Sequence, residues 1–110
     1  MNPYIPTFSV PVVAVSSFLY SGQSPEYLGQ DQLTVELPRG YVIDVSWYPE
    51  HDPQGHYVIR VFFEFADQER MLPRRARDFK QMIEIVQELA VRFSEPEIAV
   101  STSTEVANGA

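Results

Sequence analysis

The stretch YVIDVSWYPEHDPQGHYVIRVFF, residues 41–63, decides the fold of this chain. Residues 41–48 alternate, and one face carries larger apolar side chains: Tyr41, Ile43, Val45 and Trp47. Residues 56–65 alternate again, and their apolar face carries Tyr57, Ile59, Val61, Phe63 and Phe65. Two alternating runs joined by a short connector of turn-forming residues predict an antiparallel hairpin.

Further alternating segments flank this hairpin on both sides. Residues 33–37 (LTVEL) lead through PRG into the hairpin, and Gly40 can supply the positive φ of a tight turn. Residues 8–17 (FSVPVVAVSS) also predict a strand, whose inward side chains are Phe8, Val10, Val12 and Ala14. Residues 69–76 (ERMLPRRA) predict one more strand, which Pro73 restricts to a sheet edge because proline has no N–H to donate.

Residues 76–93 (ARDFKQMIEIVQELAVRF) predict the helix of this chain. Its apolar residues follow helical spacing and form one stripe: Phe79, Met82, Ile83, Val86, Leu89, Ala90 and Phe93. Asp78 is a natural N-cap, and Gln81 completes a pair that resembles a capping box. The predicted fold is therefore α+β: an antiparallel β-meander of about four to five strands with one C-terminal α-helix packed on one face.

Length and composition predict one domain and exclude several classes of site. We expect a single α+β domain over residues 1–94 that begins with an extended arm (1–7), followed by a disordered tail (95–110). The absence of cysteine excludes disulfides and thiolate metal sites and favours a cytoplasmic location. No apolar run is long enough for a bilayer, and no secretory signal precedes the strands, so we expect no membrane partner.

The hairpin connector contains both histidines of the chain. The candidate metal ligands there are Glu50, His51, Asp52 and His56, since two histidines with a carboxylate could bind a divalent ion. However, Pro49, Pro53 and Gly55 explain the segment equally as a tight turn, and the histidine spacing matches no helical ligand pair. We interpret the segment as a turn and assign no cofactor and no metal, with divalent-metal or small-ligand binding as the alternative.

Four arginines and no acid occupy residues 70–77, in a chain whose net charge is −7. This arginine island consists of Arg70, Arg74, Arg75 and Arg77. Charge and proline on an edge strand prevent unwanted strand pairing, which is our preferred interpretation. The alternatives are recognition of an acidic protein surface and binding of an anionic ligand or nucleic acid, since guanidinium groups fork onto carboxylates and phosphates. The overall negative charge makes nucleic acid an unfavourable main partner.

The second face of the predicted sheet is too apolar to be plain solvent surface. It carries Val42, Tyr48, Val58 and Phe62 among Asp44, Ser46, Arg60 and Glu64. One helix covers only one face, so this second face is covered by the N-terminal strand and loop, by another protein or by a second copy of the chain. Asp44 is expected to neighbour Arg60 on the next strand.

The sequence contains no nucleophile elbow, phosphate loop or dinucleotide fingerprint. The block 41–63, with the arginine island and the helix after it, resembles small bacterial domains without an assigned activity, and the resemblance implies no functional residues. We therefore expect a non-enzymatic module, with no catalytic residue, that binds a protein partner or itself as a homodimer. The candidate partner-binding residues are Tyr48, Val58 and Phe62 together with Arg70, Arg74, Arg75 and Arg77.

Overall fold

The computed structural model of the protein describes residues 3–20, 28–29, 31–64 and 68–95. These residues form strands β1 (Ala14–Ser17), β2 (Leu33–Glu36), β3 (Tyr41–Tyr48), β4 (His56–Phe63), β5 (Gln68–Glu69) and β6 (Arg74–Ala76), followed by helix α1 (Phe79–Arg92). Strands β1 to β5 are hydrogen-bonded in chain order, and each pair is antiparallel. Strand β6 also pairs with β4, beside β5. The predicted α+β fold, with one C-terminal helix on an antiparallel sheet, is confirmed.

The β3–β4 hairpin forms the centre of the sheet. Its register runs from Tyr41 opposite Phe63 to Tyr48 opposite His56. The alternation in sequence becomes an alternation in burial: Ile43, Val45, Ile59 and Val61 are fully buried on the face that packs against α1. The turn before β3 is closed by a hydrogen bond from Gly40 N to the Leu37 carbonyl, and Gly40 has the expected positive φ of 92°.

Helix α1 contacts β3, β4 and β6 and buries its apolar stripe against the sheet. Its buried residues are Met82, Ile83, Ile85, Val86, Leu89 and Ala90. Phe79 was predicted to be buried but is 39% exposed, and its ring packs edge-on against the exposed Tyr4, with 5.4 Å between ring centroids. Thr7, in the same N-terminal segment, accepts a hydrogen bond from Gln87 Nε2 at 3.0 Å. The described part of the N-terminal arm, residues 3–7, therefore lies on the helix side of the sheet.

The first strand is shorter than predicted and shifted in phase. Phe8, Val10 and Val12 do pack against the core, but the strand itself begins only at Ala14. Ala14 is exposed and was wrongly placed inward; Val15, opposite Val35, takes that position. The alternation slips at Val13, where the chain bends and the Val13 N–H first reaches the Glu36 carbonyl, at 2.8 Å.

The edge strand predicted over residues 69–76 is interrupted. Its two ends pair with β4 as β5 and β6, while residues 70–73 leave the ladder after a hydrogen bond from Arg70 N to the Val61 carbonyl. Pro73 cannot donate to a ladder, and Leu72 is 87% exposed. Two predictions, that Phe65 points inward and that the tail beyond residue 95 is disordered, concern residues outside those that the structure describes.

The N-cap of α1 provides a test of the helix start. Asp78 Oδ1 accepts a hydrogen bond from Gln81 N at 2.8 Å, as the capping pattern predicts. We expect Asp78→Ala to lower the free energy of unfolding by about 1 kcal/mol, because a backbone N–H of the first turn loses its acceptor. Asp78→Asn keeps that acceptor and is expected to retain most of the stability. Urea unfolding measures both, and equal losses in the two variants would contradict the capping role.

Candidate functional site

The even-numbered residues of β3 and β4 point away from α1 and form what we call the open face. Its members are Val42, Asp44, Ser46, Tyr48, His56, Val58, Arg60 and Phe62. In the part of the chain that the structure describes, no strand or helix packs on this face, because α1 and the N-terminal arm both lie on the opposite side. The described residues therefore leave the open face available for a binding partner.

A groove of about 490 Å³ runs along the open face. It is lined by Asp31, Asp44, Ser46, Trp47, Tyr48, His56, Val58, Arg60, Pro73 and Arg75. Val58 is only 6% exposed, whereas the ring of Tyr48 is 58% exposed. A buried aliphatic residue next to an exposed aromatic residue and several charges is typical of a surface that a partner can cover.

The charges of the groove are segregated across the strands. Asp44 lies on β3, and Asp31 lies just before β2, on the same side of the groove. Arg60 lies on β4 directly opposite Asp44, and Arg75 lies on β6 opposite Val58. One half of the groove is therefore acidic and the other half is basic.

Asp44 is the most perturbed carboxyl group of the groove. Burial raises the pKa of Asp44, and the negative charge of Asp31 raises this pKa further. The charge of Arg60 and a hydrogen bond with the Thr34 side chain act in the opposite direction. The predicted proximity of Asp44 and Arg60 is confirmed in the register, but the ion pair of Arg60 is with Glu69, with 3.5 Å between Arg60 Nε and Glu69 Oε2. Perturbed carboxyl groups often mark functional sites.

The histidine-containing connector is a turn between β3 and β4. The Asp52 carbonyl accepts hydrogen bonds from Trp47 Nε1 and from Gly55 N, both at 2.9 Å. The Asp52 carboxylate accepts a third from Gln54 N, also at 2.9 Å. These backbone and side-chain hydrogen bonds explain the shape of the tight reversal.

The structure separates the two histidines. His56 lines the groove, whereas His51 pairs with Glu50, with 3.5 Å between His51 Nε2 and Glu50 Oε2. Within residues 3–20, 28–29, 31–64 and 68–95, no group of three or more acidic or histidine side chains could hold a metal ion. The candidate ligands Glu50, His51, Asp52 and His56 are thus not brought together as a metal site.

The arginine island does not form one surface. Arg74 Nη1 lies 3.6 Å from Glu88 Oε2 on α1, and the Arg70 guanidinium lies 6.0 Å from the centre of the Tyr41 ring. Arg75 lines the groove, and Arg77 is exposed beyond the end of β6. Of the predicted partner-binding residues, the structure brings together Tyr48, Val58, Phe62 and Arg75 on one face and directs Arg70 and Arg74 elsewhere.

Sequence reasoning missed the contribution of Asp31 to the groove. Asp31 lies in a segment without periodicity, so no pattern could predict the face to which its side chain belongs. Alternation places Tyr48 and His56 on the same face, but their direct pairing depends on the length and shape of the connector.

Comparison with protein-family models, curated proteins and solved structures finds no match for this chain. The site is therefore interpreted from its own geometry. Among the described residues, α1 has 14 residues and is too short and too polar to cross a bilayer, which requires about 20 apolar residues.

Gly55 provides a test of the connector. A Cβ at this position would lie 2.7 Å from the Tyr48 carbonyl oxygen and 2.8 Å from Trp47 Nε1. We expect Gly55→Ala to lower the free energy of unfolding by about 1–3 kcal/mol, because the turn must shift to admit the methyl group. Gly29→Ala is the matched control, since its nearest neighbour is the flexible Glu50 carboxylate at 3.7 Å. Chemical denaturation that finds equal stability for the two variants would contradict the tight turn.

Asp44 provides a test of the groove electrostatics. Its pKa is higher in the folded chain than the ordinary 3.8, so the folded state binds this proton more tightly than the unfolded state does. This contribution to stability is complete below the unfolded pKa and is lost as the pH rises through the folded pKa. Asp44→Asn has no such loss. Relative to wild type, the variant should gain free energy of unfolding between about pH 3 and about pH 7.

Urea unfolding at the two pH values measures this difference. Glu84→Gln, on the exposed outer face of α1, controls for the removal of a carboxylate far from the groove. A stability difference between Asp44→Asn and wild type that stays constant with pH, or moves in favour of wild type, would contradict the burial of Asp44.

Proposed function

We propose that this protein is a non-enzymatic interaction module that binds a protein surface, its own or another, through the open face. The observation that supports the proposal is the groove on that face, which no described strand or helix covers and in which Tyr48 is 58% exposed. Binding there would remove apolar surface from water and give the half-buried charges partners.

The composition of the groove suits protein recognition. Tyrosine and arginine are the residues that most often contribute large binding energies at protein interfaces, and the groove presents Tyr48, Arg60 and Arg75. Phe62 and Val42 extend the apolar surface beyond the groove, as cross-strand neighbours in the register. Acidic and basic groups lie around them, which is the arrangement of an apolar centre with a polar rim.

The open face is a better docking surface than the sheet edge beside it. The outer edge of β4 is already occupied by β5 and β6, and residues 70–73 between them include Pro73 and leave the ladder. Short strands, proline and charge at an edge hinder the addition of a further strand. We therefore place the contact on the face, and we expect the protein to act in the cytoplasm because its sequence has no cysteine.

The test compares proteins captured from cell extract by three tagged forms of the chain. The open-face variant combines Tyr48→Ser with Arg75→Glu, both at exposed positions. The matched control combines Val91→Ser with Lys80→Glu, which makes the same kinds of change at exposed positions of α1. Circular dichroism checks that all three forms are folded, and mass spectrometry quantifies the captured proteins, including untagged copies of the chain itself.

We expect at least one protein to be retained by wild type and by the α1 control at similar levels, and to be lost from the open-face variant. A set of captured proteins that is the same for all three forms would contradict the proposal. So would a wild type that retains nothing and does not associate with itself.

A further inference from the structure

We propose that the partner of the open face is a second copy of this chain. The two open faces stack on each other about a twofold axis that lies between the two copies, parallel to the strands and above the line that separates β3 from β4. This inference rests on the proposed function of the open face and names its partner. Its support comes from the order of the charges across the strands, which is the order that such an axis requires.

A twofold interface uses the same surface on both subunits, so that surface must be complementary to itself. An axis between β3 and β4 places β3 of one copy over β4 of the other. It also places the β2 side of one copy over the β6 side of the other, because the strand order is β2, β3, β4 and then β6. The groove is acidic on the β2–β3 side and basic on the β4–β6 side. Asp44 and Asp31 therefore face the side that carries Arg60 and Arg75, in both halves of the interface.

The register provides the first complementary pair. Asp44 and Arg60 are cross-strand partners and so lie at the same height along the sheet. Rotation about the axis keeps this height and exchanges the two strands, so Asp44 faces Arg60 of the second copy. The symmetry produces the contact twice. Arg60 uses its Nε for Glu69, which leaves the terminal nitrogens of its guanidinium group for a carboxylate across the interface.

Asp31 and Arg75 provide the second complementary pair. Arg75 lies opposite Val58, which is in turn opposite Ser46. On the other side, Gln32 N donates to the Val45 carbonyl, which places the neighbouring Asp31 close to the same height. The axis therefore also brings Asp31 over Arg75 of the second copy. Both side chains are exposed in the single chain and are free to adjust to the contact.

Two other cross-strand pairs of the open face lie near the axis, and their side chains are apolar or aromatic. Val42 lies opposite Phe62, and Tyr48 lies opposite His56, so each pair also meets its exchanged counterpart across the axis. Tyr48 would lose most of its exposed ring surface in this way. Glu36 would approach Glu69 of the second copy at the rim, an unfavourable like-charge contact that the ion pair of Glu69 with Arg60 offsets in part.

The small size of the face predicts a weak dimer. The face is four strands wide, at about 4.8 Å for each strand, and as long as the eight residues of β3 and β4, at about 3.3 Å for each residue. The contact on each copy therefore measures about 19 Å by 26 Å. Both copies together then bury on the order of 1,000 Å², which is the lower end for specific interfaces. A dimer with a dissociation constant in the micromolar range is expected, so measurements must extend to roughly 500 µM.

The test is a charge-swap experiment by sedimentation velocity over roughly 5–500 µM of the whole chain. Asp44→Arg and Arg60→Asp are each expected to raise the dimer dissociation constant at least about tenfold, because like charges then meet across the axis. An equimolar mixture of the two variants restores both opposite-charge contacts and should associate as strongly as wild type. Asp31→Arg and Arg75→Asp form a second swap at exposed positions, where the substitutions leave the fold least disturbed.

The control swap uses Lys80→Asp and Glu84→Arg on the outer face of α1, alone and mixed, and should leave the dimer dissociation constant unchanged. Recovery in the mixtures of open-face variants supports the proposed axis. A wild-type dimer whose affinity ignores both swaps would overturn it, as would a wild type that stays monomeric at the highest concentration. In either case, loss of another captured protein from the open-face variant would leave the proposed function standing without the dimer.

Discussion

The pairing of β3 with β4 is the constraint on which the rest of the structure depends. Successive side chains of a strand point to opposite faces, so one register assigns every residue of both strands. The register from Tyr41–Phe63 to Tyr48–His56 sends Ile43, Val45, Ile59 and Val61 to the core. A slip of one residue in either strand would turn its apolar set outward and send its charged residue, Asp44 or Arg60, toward α1. The register of β3 with β4 therefore determines both which residues form the core and which residues form the open face.

The connector holds that register in place. The Asp52 carbonyl joins the indole N–H of the buried Trp47 to the backbone N–H of Gly55, so the turn is tied directly to the core side of the hairpin. Trp47 in turn packs edge-on against Tyr57, its partner in the register, with 4.9 Å between ring centroids. A segment whose histidines and acids suggested a metal site thus serves to connect and align the two longest strands.

Much of the fold could be predicted from sequence because strong alternation and helical periodicity report burial directly. Residues 41–48 form β3 with the predicted bounds, and the Asp78 cap and most of the helical stripe were predicted, although the buried Ile85 was not assigned to that stripe. The failures lie where other forces compete with the pattern. Ala14 was placed inward because the alternation of inward and outward residues shifts by one at Val13. The sequence does not signal this shift, since all residues near it are small or β-branched. Phe79 is partly exposed and packs against Tyr4, 75 positions away by residue number, a contact that helical spacing cannot predict.

The groove could be predicted only in part for a similar reason. Alternation assigns Tyr48, Val58 and Arg60 to the open face, but the positions of Asp31 and Arg75 depend on loops and on an interrupted edge strand. The arginine island shows the limit most clearly. The sequence placed four neighbouring arginines on what looked like one surface. In the structure β6 packs against α1, so Arg74 pairs with Glu88 of the helix while Arg75 lines the groove on the other face.

Two statements about the open face can be tested by hydroxyl-radical footprinting of the whole chain at low and at high protein concentration: that no described strand or helix covers this face in the single chain, and that this face is the surface used for contact. We expect Tyr48 to be oxidised readily in dilute solution while Trp47, 3% exposed, is protected, and we expect Tyr48 to become protected as the concentration rises. Protection of Tyr48 in the dilute monomer, or an oxidation rate at Tyr48 that never changes while residues of α1 become protected instead, would contradict these expectations.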